Sequence, residues 1–252
     1  SRQTAAATFA QKAVAYGYTW NLISHGCRAE PYLPLMERYR DKFTGIGISI
    51  DGSFPALHDE LRGVMGAFEK TTNSVRQYVQ KGFCVEIKSS LNQKNKGEVQ
   101  ALFELAENLG AESIRFAGTI PTSWNQHLVL TDEESLQLYQ QILELRGKSQ
   151  VKVETASALY TKGGINFCHI LNLGSLVFNP RGVMVFCCDI DHDHALVGSL
   201  QDHSLTELIQ IRLEQSAKLQ ANRARQISTG IMGDLFDTCA YCNRYFELST
   251  IN

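Results

Sequence analysis

The residues best suited to chemistry in this sequence are cysteines, of which there are seven. Four of them, Cys168, Cys187, Cys239 and Cys242, stand towards the carboxyl end, and the last two form a C-x-x-C turn. In a reducing compartment, such clustering indicates metal binding or catalysis rather than disulfides. Four thiolates suit a [4Fe–4S] cluster or a structural zinc ion. The sequence therefore predicts that these four side chains bind one metal centre.

The ligand types alone leave the metal open. Most structural zinc sites use two C-x-x-C-like knuckles, whereas Cys168 and Cys187 lie far apart in the sequence. Cys188 directly follows Cys187 and is an alternative ligand. A non-enzymatic binding module stabilised by zinc is therefore one alternative, and four scattered core cysteines are another.

Three other segments carry polar side chains of interest. The run 189–194 holds five possible metal ligands in six residues, but adjacent residues rarely converge on one ion, which favours a solvated acidic loop. Arg115 lies in a strand-like run. Its side chain points either into a barrel, where it could meet a carboxylate, or outwards, where helices would cover it. Ser49 and Asp51 close another strand-like run, where they could bind a ligand or merely cap backbone amides.

The elements that must position these residues alternate between strand and helix patterns in the first 147 residues. Repeats of about 30 residues are typical of βαβ units with parallel strands. Four such units are too few to close a (β/α)₈ barrel. The expected strands are Tyr18–Ser24, Gly45–Asp51, Phe83–Ser90 and Ser113–Gly118, and the expected helices are Leu33–Lys42, Met65–Lys81, Glu98–Asn108 and Asp132–Leu145.

The pattern changes near residue 148, which predicts two domains, 1–147 and 148–252. In the second, strand-like runs Ser175–Phe178 and Val183–Cys187 flank Asn-Pro-Arg-Gly, a sequence that favours a β-hairpin turn. Ser204 to Glu207 forms a capping box that should begin a helix reaching about Ala224. The fold class expected is α/β, a partial (β/α) barrel followed by a small α+β domain.

Composition restricts the partners. The net charge of −2 gives no electrostatic reason to expect nucleic acid or an anionic membrane surface. No apolar run approaches the length of about 18 residues that spans a bilayer. We expect a cytoplasmic protein with neither kind of partner.

The cysteine spacing resembles the shortened SPASM or "twitch" domain of radical S-adenosylmethionine (SAM) enzymes. The resemblance rests on Cys168-x13-Gly182-x4-Cys187 followed by the distant C-x-x-C. It implies one accessory [4Fe–4S] cluster held by Cys168, Cys187, Cys239 and Cys242.

The first half resembles the same family through Ser49-x-Asp51-Gly52 and His58-Asp59-x-x-Arg62-Gly63. The resemblance implies that Ser49 and Asp51 are among the groups that position SAM. His25 stands where the family usually has Asn, so no role is assigned to it. The CxxxCxxC triplet that binds the catalytic cluster is not found in these 252 residues. We therefore expect part of a radical SAM core, inactive alone.

For the intact protein, the family implies reductive cleavage of SAM to a 5′-deoxyadenosyl radical that abstracts hydrogen from a peptide or small-molecule substrate. It also implies a second, SAM-binding cluster and a reductant such as flavodoxin or ferredoxin. A degenerate relative acting as a peptide-binding partner is a further alternative.

Overall fold

A five-stranded parallel sheet is the centre of the first part of the chain. The computed structural model describes residues 2–122, 124–148, 150–156, 159, 168, 170–171, 174–187, 195–229, 239, 241–242 and 245–246. The strands are β1 Trp20–Ser24, β2 Phe43–Ser49, β3 Val85–Leu91, β4 Ser113–Gly118 and β5 Lys152–Thr155. They pair in chain order and every pair is parallel. The predicted order and direction of the first four strands are confirmed, while β5 was not predicted.

Among the described residues up to Thr155, the α-helices are α1 Arg2–Ala15, α2 Leu33–Arg38, α3 Pro55–Arg62, α4 Ala67–Gln80, α5 Val99–Leu109 and α6 Asp132–Leu145. Helix α5 ends at Gly110, whose left-handed φ of 72° favours glycine. The predicted capping box before α6 is present, since the amide of Thr131 donates to Glu134 and the amide of Glu134 donates to the Thr131 hydroxyl. Helix α3 was not predicted.

The two faces of the sheet differ in chemistry because side chains alternate along each strand. In β3, Val85, Ile87 and Leu91 are buried, whereas Glu86 and Lys88 on the other face are only half-buried. Helix α4 contacts β3, and α5 contacts β4. The helices thus cover the apolar face and leave the polar face, here called the open face, without helical cover from α4 and α5.

The chain divides into two compact units, Ser1–Thr119 with Gln137–Ala156, and Ile120–Leu136 with Ser157–Asn252. Strand β5 belongs to the first unit. The second contains an antiparallel sheet of β6 Val177–Phe178, β7 Val183–Val185 and β8 Leu196–Ser199, followed by α7 Leu205–Ser228. The predicted hairpin and the Ser204 capping box are confirmed, and β8 is an addition. Within the part of the chain that the structure describes, no helix is both long and apolar enough to span a membrane.

Candidate functional site

Ser49 ends β2 on the open face, level with Lys88 of β3. The Lys88 side chain crosses over Gly47, where an added Cβ would lie 2.5 Å from its Cε atom. Gly47 therefore gives Lys88 the room to lie across the sheet. A cleft of about 220 Å³ runs along the amino-terminal half of this face, with Glu86 and Lys88 among the residues lining it.

Charged side chains continue across the open face as a connected row. Lys88 Nζ lies 2.5 Å from Glu86 Oε2, Arg115 Nε donates to Glu86 Oε1 at 2.6 Å, and Arg115 also pairs with Glu154. Burial raises the pKa of Glu86, but hydrogen bonds and charge from Lys88 and Arg115 outweigh it and leave that pKa below its ordinary value. Of the two orientations left open for Arg115, the structure has the one that meets carboxylates.

Asp51, which follows β2, is buried, and its carboxylate is fully engaged. Its Oδ2 pairs with Arg62 Nη2 at 2.7 Å and its Oδ1 accepts the amide proton of Ser90 at 2.9 Å. Burial raises the pKa of Asp51 above its ordinary value despite the opposing charge of Arg62 and the Ser90 amide. This carboxylate therefore joins the segment after β2 to the end of β3 and to the end of α3.

The rest of the predicted His-Asp-x-x-Arg-Gly motif supports the same loops. His58 Nδ1 accepts the amide proton of Asp51 at 3.2 Å. Asp59 accepts the amide protons of Gly66 at 2.6 Å and Phe68 at 2.8 Å, where α4 begins. Hydrogen bonds, first that from Phe68, hold the pKa of Asp59 below its ordinary value. His58 and Asp59 thus bind backbone amides, and Arg62 binds the Asp51 carboxylate.

Asn95 is a member of this network that sequence reasoning missed. It is fully buried, and its Nδ2 donates to the carbonyls of Asp51 at 2.8 Å and Ser90 at 2.9 Å. The sequence signal for Asn95 is its position in the polar run Asn92 to Asn95, directly after a strand. Together these contacts fix the backbone directly after Ser49, at the end of β2.

In the second unit, three of the four predicted metal-binding cysteines share one apolar cluster. Cys168 and Cys187 pack against a buried group that includes Cys242 and Phe186. Cys239 is half-buried. Among the described residues, no group of three or more His, Cys, Asp or Glu side chains is close enough to hold a metal ion as it stands. The four-cysteine ligand set stays a prediction, and Cys188 and the run 189–194 lie outside the described residues.

Arg212 of α7, which sequence reasoning also missed, lies among these cysteines. Only 2% of the residue is exposed, and its guanidinium carbon is 3.6 Å from the centre of the Phe186 ring. Burial lowers the pKa of Arg212, and negative charge on the nearby sulfurs of Cys187, Cys168 and Cys242 opposes that effect. Arg223 lies near Cys242 and Cys168 as well. Two cations therefore adjoin the predicted sulfur ligands.

The comparisons with known proteins find curated relatives whose names refer to AdoMet-dependent heme synthesis or to bacteriocin biosynthesis. The chain is 32% identical over 173 residues to the AdoMet-dependent heme synthase of Oleidesulfovibrio alaskensis, covering 56% of this chain and 44% of that protein. It is 29% identical over 84 residues to AlbA, the subtilosin biosynthesis protein of Bacillus subtilis, covering 33% of this chain and 18% of AlbA. These likenesses indicate the radical SAM/SPASM-type family. No family model matches it.

A solved structure has a similar fold. The structure of anSMEcpe with bound AdoMet aligns with a TM-score of 0.60, covering 91% of this chain and 71% of that one. At 13% identity, this likeness shows the fold alone. The chain spans less than half the length of the AdoMet-dependent heme synthases it matches by sequence.

Proposed function

We propose that this chain is part of a radical SAM enzyme. In the intact protein, SAM would be cleaved reductively to a 5′-deoxyadenosyl radical, which abstracts hydrogen from the substrate. The observation that carries the proposal is the likeness of 173 residues to an AdoMet-dependent heme synthase. The cluster that binds SAM would be held by a CxxxCxxC motif outside these 252 residues, and a flavodoxin or ferredoxin would reduce it.

Cys168, Cys187, Cys239 and Cys242 are the proposed ligands of one accessory [4Fe–4S] cluster. The donor set fits such a group, because three of the four sulfurs lie in one apolar cluster beside two cations. Thiolates are the usual ligands of iron–sulfur clusters, and nearby charge and burial set their properties. When bound, the cluster supplies one-electron transfer.

Ser49 and Asp51 are the proposed residues for positioning SAM. The Ser49 side chain shares the open face with Lys88, so its hydroxyl is available to a ligand resting at the carboxyl ends of the strands. Asp51 would act indirectly, because Arg62 and the Ser90 amide already occupy its carboxylate.

For the substrate, we propose a peptide or a small molecule. AlbA is named for the biosynthesis of the bacteriocin subtilosin, and a second structure of anSMEcpe contains the Kp18Cys peptide as well as AdoMet. The heme synthase name points to a tetrapyrrole instead. Either class of substrate could lie against the polar surface formed by the alternating charges of Lys88, Glu86, Arg115 and Glu154.

The test uses the intact protein purified without oxygen. Reduction with dithionite in the presence of SAM should release 5′-deoxyadenosine, measured by liquid chromatography and mass spectrometry. Ser49→Ala should raise the KM for SAM and preserve the iron content. An iron-replete protein that binds SAM but forms no 5′-deoxyadenosine would contradict the proposed reaction.

A further inference from the structure

Helix α7 binds the segment that follows Cys168 through side chains on one of its faces. Arg212 Nη2 donates to the carbonyl of Ile170 at 2.8 Å, and Ser216 Oγ donates to the carbonyl of Leu171 at 2.8 Å. Residues four apart lie on the same face of a helix. Arg212 is therefore fixed next to the part of the chain that carries one predicted metal ligand.

The guanidinium of Arg212 is enclosed rather than solvated. It stacks on Phe186, which precedes Cys187 and belongs to the apolar cluster against which Cys168 and Cys187 pack. Arginine keeps its charge in proteins, since its pKa is far above the physiological range. A full positive charge thus lies in an apolar cluster that also holds three thiols.

One nitrogen of this guanidinium has no partner among the described residues. Nη1 is buried and forms no hydrogen bond there, and the ion pairs found in the described ranges leave Arg212 without a carboxylate. An uncompensated buried charge and an unsatisfied buried donor are both strongly unfavourable. An anionic acceptor would satisfy both, and the cysteines that pack in the cluster around Phe186 are proposed ligands of such a group.

We propose that Arg212 is the counter-charge and a hydrogen-bond donor of the accessory metal centre, and that it raises the reduction potential of that centre. The proposal rests on the proposed function, because it requires iron at the cysteines. Reduction adds one negative charge to the centre, and a nearby positive charge stabilises the reduced state more than the oxidised one. Arg212 is a positioning residue as well, since its Nη2 donates a hydrogen bond to the Ile170 carbonyl.

The experiment compares the full chain, reconstituted with iron and sulfide under argon, with Arg212→Gln and Arg212→Lys. Arg212→Gln removes the charge but retains a donor, whereas Arg212→Lys retains the charge. Arg225→Gln, at an exposed position of the same helix, is the matched control. Iron and sulfide per chain are measured first, and the midpoint potential is then determined by redox titration followed by electron paramagnetic resonance.

We expect Arg212→Gln to change the reduction equilibrium at least tenfold towards the oxidised state, a drop of 59 mV for a one-electron couple. The reduction equilibrium constants of Arg212→Lys and Arg225→Gln should each differ from that of the wild type by less than tenfold. Arg212→Gln could fail to fold or to retain iron. In that case, iron retained by Arg212→Lys supports the role of the positive charge, and iron lost from both variants overturns that role.

Equal potentials in wild type and Arg212→Gln, with equal iron content, would overturn the role of Arg212 and leave the proposed function intact. A potential lowered as far by Arg212→Lys as by Arg212→Gln would also overturn it, because the charge would then not be the cause. A wild-type chain that takes up no iron would overturn both proposals together.

Discussion

Protonation of His58 should destabilise the first unit in mildly acidic solution. The side chain is 1% exposed, and its Nδ1 can accept the Asp51 amide proton only while it is unprotonated. Burial, followed by the charge of Arg62, lowers the pKa of His58 to about 4, against the smaller opposing effect of Asp59. An unfolded chain has a histidine pKa of about 6.5.

The sign follows from proton binding. Between about pH 6.5 and pH 4, the unfolded state binds more protons at His58 than the folded state, so the free energy of unfolding falls as the pH falls. The two pKa values give a loss of about 2 kcal/mol between pH 7 and pH 5 from this residue. The stabilisation is fully present above about pH 7 and disappears as the pH approaches 4.

The assay is urea denaturation followed by circular dichroism at pH 7 and pH 5. His58→Asn provides an acceptor that does not titrate, so its pH dependence should be smaller than that of the wild type by about 2 kcal/mol. His127→Asn removes an exposed histidine outside the network and serves as the control. An unchanged pH dependence in His58→Asn, or an NMR titration of His58 near 6.5, would refute the reasoning.

Two further predictions concern the loops and SAM. Arg62→Met leaves the buried Asp51 carboxylate without its ion-pair partner and should lower the free energy of unfolding by about 2 kcal/mol at pH 7, measured with urea; an equal stability would show that Asp51 does not depend on Arg62. This chain alone should bind SAM weakly or undetectably by calorimetry and form no 5′-deoxyadenosine with dithionite. A few hydrogen bonds of about 1 kcal/mol each do not offset the several kcal/mol that association costs. Robust cleavage by these residues would mean that the catalytic cluster is held by cysteines assigned no such role.

The sequence predicts the parallel sheet well where strands are apolar and end at clear signals. Strand β4 was predicted with its observed bounds, and β2 and β3 within two residues. Strand β5 was missed because it is short and carries Lys152 and Glu154, which pair with Glu112 and Arg115 of neighbouring segments. Such pairing across strands cannot be inferred from local pattern.

For the candidate site, sequence patterns located the right segments but not the contacts of each side chain. The resemblance singled out Asp51 as a group that positions SAM, yet the partners of its carboxylate lie 11 and 39 residues away, at Arg62 and Ser90. Arg212 lies on a long, polar helix whose sequence resembles many exposed ones, and only packing shows its burial. Burial of a charge depends on tertiary contacts, which composition and spacing do not record.

The central claim, one accessory [4Fe–4S] cluster in this chain, is tested most directly by metal analysis of anaerobically produced protein. We expect a brown chain with about four iron and four sulfide per molecule, retained by Cys188→Ser and lost or strongly reduced in Cys187→Ser. A colourless chain with one zinc per molecule, or equal iron in the wild type and Cys187→Ser, would contradict the account.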